Sequence, residues 1–226
     1  MNRSLPLFVA FVALLVLASL LAAWWLGPLA GLLVDGERRA APYYLLQLDR
    51  TGNPDVLVPM VTEESGQLLG RGVLDHQLGG LVSRDEWAQM RVFSFEQGAD
   101  FLRLATSESF RGARPRQNDR LLLLAETPPR LGTGSAWALW LFQRRDQQLL
   151  ETDTALLSTA SAYGGVSVWR ADVEVAEGEA PWQAMHMLEF PSVEDAFNWH
   201  RDPETRTEVA LMRTKYADTA ALLFAR

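Results

Sequence analysis

Cysteine is absent from this 226-residue chain, which excludes a disulfide framework, a thiolate nucleophile and any Cys-ligated zinc or iron–sulfur centre. Histidine is nearly absent: His76, His186 and His200 are the full set, and no two share the i, i+4 spacing of ligands on one helix, so no metal is expected. A lone histidine can hold a haem iron, but an unpaired one on a strand is more often a hydrogen-bonded core or rim residue, and no cofactor is expected. Basic residues are in the minority, with 21 Lys and Arg against 28 Asp and Glu, a formal charge of −7 and a pI near 5.0. That balance argues against a nucleic-acid partner, because phosphate neutralisation needs clustered Lys and Arg. Gly132-Thr-Gly-Ser135 has neither the spacing nor the lysine of a phosphate-binding loop and reads as linker. No Ser-His-Asp grouping can be argued from residue order.

Charge is also missing locally. Between Arg3 and Asp35 no residue is charged, and Leu5 to Leu26 is long enough at about 1.5 Å per residue to cross a hydrocarbon core of about 30 Å. Trp24 and Trp25 stand at the far end, where an aromatic belt prefers the headgroup boundary, and Gly27-Pro28 offers a break. A cleaved signal peptide is the alternative, although its apolar core is normally about 7 to 15 residues with a small-x-small site after it. The reading adopted is a transmembrane anchor over residues 1–34, in the inner membrane through residues 5–26. Arg3 lies on one side and Arg38-Arg39 on the other; with the N-terminus inside, the soluble part is periplasmic.

What is present is a pattern written twice. Trp87-Ala-Gln-Met90 through Phe95 is echoed by Trp182-Gln-Ala-Met185 through Phe190, Phe101 by Phe197, Asp119 by Asp218, Leu121-Leu-Leu-Leu124 by Ala220-Ala-Leu-Leu223, and Tyr43-Tyr-Leu-Leu46 by Trp137-Ala-Leu-Trp140. The offset drifts only from about 94 to about 99 residues, as in a duplicated domain.

Each copy reads as strand, helix, two strands, helix, strand. In residues 43–127 the strands are Tyr43–Leu48, Arg71–Gln77, Trp87–Phe95 and Leu121–Ala125. A helix starting at Asn53-Pro54 runs through Leu57, Val61, Glu64 and Leu68 to a stop at Gly70, and a second carries Phe101, Leu104 and Ala105. Residues 128–136, with Pro128-Pro129, form the linker. Residues 137–226 repeat the order with strands at Trp137–Phe142, Val166–Val173, Trp182–Phe190 and Ala220–Ala225. Their helices pass through Leu149, Leu156 and Ala160 to Gly164-Gly165, and from the capping box Ser192-Val-Glu-Asp195 to Asp202-Pro203, with helical periodicity resuming at Val209 and Met212. The fold class is α+β: an N-terminal transmembrane helix, then two tandem ferredoxin-like units whose bare sheet faces cover each other as a pseudo-dimeric α/β barrel.

The second copy carries Tyr163-Gly-Gly165, Arg170, Glu189-Phe-Pro-Ser192, Ala196-Phe-Asn-Trp199, Asp202-Pro-Glu204 and Arg213. Over about 90 residues this set resembles the DUF1330 family. The resemblance implies membership of the dimeric α/β-barrel superfamily and, for an ordinary member, a homodimer of single units; here the partner looks fused. The first copy departs from the pattern, with Ser94 at the place of Glu189, His76 at that of Arg170 and Arg103 at that of Trp199, while Arg213 is kept as Arg114.

Alternation on Trp182–Phe190 puts Met185, Met187 and Glu189 on one face and His186, Leu188 and Phe190 on the other. If Glu189 faces the inter-sheet space it needs Arg170 or Arg213 as partner, or burial raises its pKa toward that of a general base. The alternative is a wet carboxylate serving turn geometry. Trp199 is a candidate platform for a planar ligand, against the plainer reading of core. The leading functional expectation is a membrane-anchored binder of a small molecule or a partner, without catalysis. The rivals are a cofactor-free monooxygenase- or isomerase-like enzyme acting on a hydrophobic or phenolic molecule, with Glu189 as base and Arg170 or Arg213 holding an anion, and an accessory subunit of a membrane complex.

Overall fold

A computed structural model describes residues 36–50, 56–80, 87–112, 119–144, 153–178 and 180–226. The proposed anchor over residues 1–34 and the helix start at Asn53-Pro54 lie outside these, and so does Leu149. Among the described residues, no helix is long and apolar enough to cross a membrane.

A short helix α1 (Gly36–Ala40) leads into β1 (Tyr43–Asp49), α2 (Leu57–Glu63), β2 (Gln67–Gly80), β3 (Gln89–Phe95), α3 (Gly98–Thr106), α4 (Glu108–Gly112) and β4 (Arg120–Ala125). The remainder is β5 (Ala136–Arg144), α5 (Asp153–Ser161), β6 (Val166–Asp172), β7 (Glu174–Glu177), β8 (Ala184–Phe190), α6 (Val193–Arg201), α7 (Pro203–Lys215) and β9 (Tyr216–Ala225). One expectation fails here. The first helix does not reach Leu68 and Gly70: it ends at Glu63, Ser65 turns left-handed at φ 64°, and Leu68 and Gly70 lie inside β2. The capping box holds as read, with the Asp195 backbone N–H donating to Ser192 Oγ at 3.0 Å.

Among the described residues, the nine strands form one antiparallel sheet in the order β6-β8-β5-β9-β2-β3-β1-β4-β7. The fold is thus α+β and ferredoxin-like in its strand layout. The long β2 serves two neighbours: Gln67 to Val73 pair with β3, and Val73 to Gly80 pair with β9. On the far side β6 pairs with β8 and, past Val173, β7 pairs with β4. Since β6 and β7 are the two ends of the strand order and adjacent in sequence, the sheet closes on itself.

Alternation then sorts the side chains into three clusters. Inside the closed sheet, Leu46, Leu48, Met90, Val92, Leu121 and Leu123 meet Trp137, Leu139, Leu141, Met185, Met187, Leu222 and Phe224. On the outer face, α2, α3 and α4 cover Tyr43, Leu45, Phe93, Phe95, Leu122 and Leu124, while α5, α6 and α7 cover Ala138, Trp140, Leu188, Phe190 and Leu223.

The interior is tight where β2 changes partner. A side chain at Gly70 would collide with the Trp137 indole, and one at Gly72 would put its Cβ 2.9 Å from the Phe224 Cβ. A rigid ring and a backbone-proximal atom cannot retreat, so Gly70→Ala and Gly72→Ala are each expected to destabilise the fold by about 1–3 kcal/mol. Urea unfolding followed by tryptophan fluorescence checks this, and unchanged midpoints would contradict the packing described.

Candidate functional site

Glu189 points inward from the end of β8, on the face of Met185 and Met187, and is 4% exposed. An unpaired carboxylate there would cost several kcal/mol, so the geometry around it must supply donors. The linker supplies them. Gly134 N–H donates to Oε1 at 2.9 Å, Gly132 N–H to Oε2 at 3.1 Å, and the Trp137 indole N–H to Oε2 at 2.9 Å. Arg226 Nη1 lies 3.6 Å from Oε2, its guanidinium carbon 4.9 Å from the centre of the Trp137 ring. Both glycines are necessary: a Cβ on Gly134 would sit 2.5 Å from Glu189 Cγ, and one on Gly132 would collide with the carboxylate. The linker is therefore a carboxylate cradle as well as a connector.

The other candidates do not join Glu189. Arg170 is exposed on β6, opposite His186, whose ring Nε2 lies 2.8 Å from Ser167 Oγ. Arg213 is exposed on α7, with its guanidinium against Gly79 of β2. Trp199 is fully buried on the helix side of the sheet, donates its indole N–H to Thr159 Oγ1 at 3.0 Å and packs with its ring centre 5.1 Å from that of Phe190. Strand parity sends Glu189 inward, and the Trp199 indole lies outside the sheet wall, so no pocket contains both.

The register also changes the residue correspondences. Tyr44 pairs with Ser94 as Trp137 pairs with Glu189, so Tyr44 rather than Tyr43 stands at the place of Trp137. Arg71 faces Arg91 as Arg170 faces His186, so the place of Arg170 falls to Arg71 and not His76. Because α3 starts at Gly98 after Ser94 and α6 at Val193 after Glu189, Leu104 answers Trp199, not Arg103. Arg114 lies outside the described residues.

The family model described as "Domain of unknown function (DUF1330)" matches residues 138–225, from within β5 to the end of β9, a stretch that holds Glu189 but not its partners Gly132, Gly134, Trp137 and Arg226. Residues 138–225 are thus similar to the DUF1330 family. No curated protein matches the chain. Solved structures similar to it include a candidate monooxygenase from Lactobacillus acidophilus, at 8% identity over 82% of this chain and 94% of that one, with a TM-score of 0.47. An anthrone oxidase-like protein is similar at 12% identity, covering 81% of this chain and 90% of its own, with a TM-score of 0.46. A chlorite dismutase variant from Candidatus Nitrospira defluvii is similar at 12% identity, covering 82% and 92%, with a TM-score of 0.44. Those activities are properties of those proteins.

Two surface clefts flank the seams between the matched stretch, residues 138–225, and the residues before it. One, of 430 Å³, lies where β2, β3 and the end of β9 meet and is lined by Arg71, Val73, Gln89, Arg91 and Arg226. The other, of 310 Å³, lies where β4 meets β6 and β7 and is lined by Arg38, Tyr43, Glu126, Asp172 and Glu174. In the second, Arg38 Nη2 bridges Glu126 at 2.9 Å and Glu174 at 3.1 Å, and Arg144 pairs with Asp172. Burial, then the hydrogen bond to Glu126, pushes the Tyr43 phenol up to about 12. Sequence reading missed both clefts, and the signal available for the first was charge inside strands: Arg71 and Arg91 each interrupt an otherwise apolar or small-residue run. Among the described residues, no group of His, Asp and Glu is placed to hold a metal ion.

Two outcomes follow. Glu189→Gln turns an amide N–H₂ toward donors and is expected to cost about 1–3 kcal/mol of stability while leaving the chain folded, measured by urea unfolding; no change would mean the cradle is ornamental. His200 is held below the usual histidine range, first by burial and then by Arg206 and Arg213, against a hydrogen bond to the Leu78 backbone. The unfolded chain therefore takes up the proton more readily, and stability should fall as pH drops through about 6.5. His200→Gln should flatten that slope, and an unchanged slope would contradict the assignment.

Proposed function

We propose that the chain is a non-catalytic binding protein, tethered to the inner membrane by residues 5–26 with its remaining part on the periplasmic side. The supporting observation is the state of Glu189, the carboxylate that an enzymatic reading would use as base. Its oxygens already accept from two backbone amides and an indole, with a guanidinium beside them, so the capacity a substrate proton would need is taken up by the protein itself. The space between the halves is filled by Leu, Met and Trp side chains from both, which leaves recognition to the outer seams.

In this reading the barrel consists of two tandem ferredoxin-like units, residues 43–127 and 137–226, joined by residues 128–136. The strand orders β2-β3-β1-β4 and β6-β8-β5-β9 support it, as do register shifts at corresponding places, Leu68/Gly70 and Ser167/Trp169. For the tether, the support is the uncharged run from Leu5 to Leu26. The Arg38 bridges fasten the segment that follows it to the barrel, which would hold the barrel close to the bilayer.

Full-length protein is expected in the membrane fraction after alkaline carbonate washing, with the barrel open to protease in spheroplasts. Native mass spectrometry should find the same small molecule on wild-type and Glu189→Gln protein. Oxygen-dependent turnover of a phenol that disappears in Glu189→Gln would overturn the non-catalytic reading.

A further inference from the structure

The two clefts occupy matching places in the strand order, yet their charges are balanced differently. In the 310 Å³ cleft each carboxylate has a cation: Arg38 for Glu126 and Glu174, Arg144 for Asp172. In the 430 Å³ cleft the excess is positive. Arg91 is buried and paired with Asp49, and it also donates to Gln89 Oε1 at 2.7 Å. Arg226 donates to the Gly132 carbonyl and stands 3.6 Å from Glu189. Arg71 is exposed and, among the described residues, has no carboxylate beside it.

Its position makes that lack significant. Arg71 and Arg91 are direct partners across β2 and β3, so their side chains share one face; Asp49 answers the charge of Arg91, and Asp49 is buried on the far side of Arg91 from the cleft mouth where exposed Arg71 stands without a counter-charge among the described residues. A cleft whose other two cations are met by the protein and whose third is not is a departure from local balance of the kind found at functional places. The surroundings specify the compensation. Val73, 60% exposed, lines the same cleft with Met90 and Ala225, so an apolar body can lie beside the cation. The volume falls in the range of small-molecule pockets, and one uncompensated guanidinium fork matches one carboxylate better than a doubly charged phosphate.

The geometry points to this cleft as the binding site for a small monocarboxylate with an aliphatic or aromatic body, held by Arg71 as its anion partner. This rests on the binding-protein reading and names the ligand class. In the bound state the carboxylate supplies the counter-charge that Arg71 lacks, and Val73 is covered by the apolar body.

The test is isothermal titration of the full chain with octanoate, benzoate, inorganic phosphate and octylammonium. Octanoate and benzoate should bind one to one, and Arg71→Ala should weaken both by about tenfold or more. Arg170→Ala removes the matching arginine of the other half and should leave them unchanged. Equal octanoate affinity in wild type and Arg71→Ala would overturn the site while leaving the binding-protein reading standing, since the ligand would then sit elsewhere. Phosphate as tight as octanoate would overturn it as a plain cationic patch. Absence of carboxylate binding would also overturn it, and the broader reading would fall with it only if the wild-type native mass spectrum also carried no small molecule.

Discussion

The arrangement depends on two strands that each pair with both halves of the molecule. β2 leaves β3 at Val73 and continues along β9, while the β6–β7 segment leaves β8 and continues along β4. An open four-stranded sheet would present bare edges and an uncovered apolar face, both aggregation hazards. The exchange closes the sheet and turns the inner faces into one core. Each buried leucine there contributes about 1.5–3 kcal/mol, so Leu46, Leu48, Leu121, Leu123, Leu139, Leu141 and Leu222 together outweigh any single polar contact at the seams. Gly70 and Gly72 are the steric condition for it, because they let Trp137 and Phe224 lie flat against β2.

Glu189 belongs to the same construction. It fixes the linker to the end of β8 and orients the Trp137 indole that fills the space over those glycines. Placed here, a carboxylate serves geometry: it gathers donors that would otherwise be buried and unpaired, which is the costlier alternative. Arg226 completes the group from the end of β9, drawing linker, β8 and β9 to a single point.

Where the halves differ is in charge at the seams. One seam is locked by arginines that the chain supplies to its own acids, and Arg120, stacked 5.0 Å over Phe110, grips Glu177 of β7 from the same side. The other seam keeps an arginine uncompensated. A frame with matched strand orders can thus carry unmatched chemistry, because surface charge contributes little to folding and varies freely once the apolar interior is satisfied.

Much of the fold was legible in the letters. Period-two alternation put Met185, Met187 and Glu189 on one face, the Ser192 capping box marked the start of α6, and the Glu-Phe-Pro-Ser run pointed to the family matched over residues 138–225. The run from Leu57 to Leu68 misled, since apolar spacing is compatible with a helix that goes on and with one that stops at Ser65 and becomes a strand. The place of Arg170 falls to Arg71 and not His76 because the chain joining β2 to β3 differs in length from that joining β6 to β8, and the length of a connection leaves no periodic trace in the strands. By itself, then, the sequence determined which residues alternate, which cap and which are apolar, because these depend on neighbours along the chain. Only the tertiary structure decided that Glu189 is saturated, Trp199 is core and Arg71 stands opposite Arg91, because those facts depend on which distant strand arrives alongside.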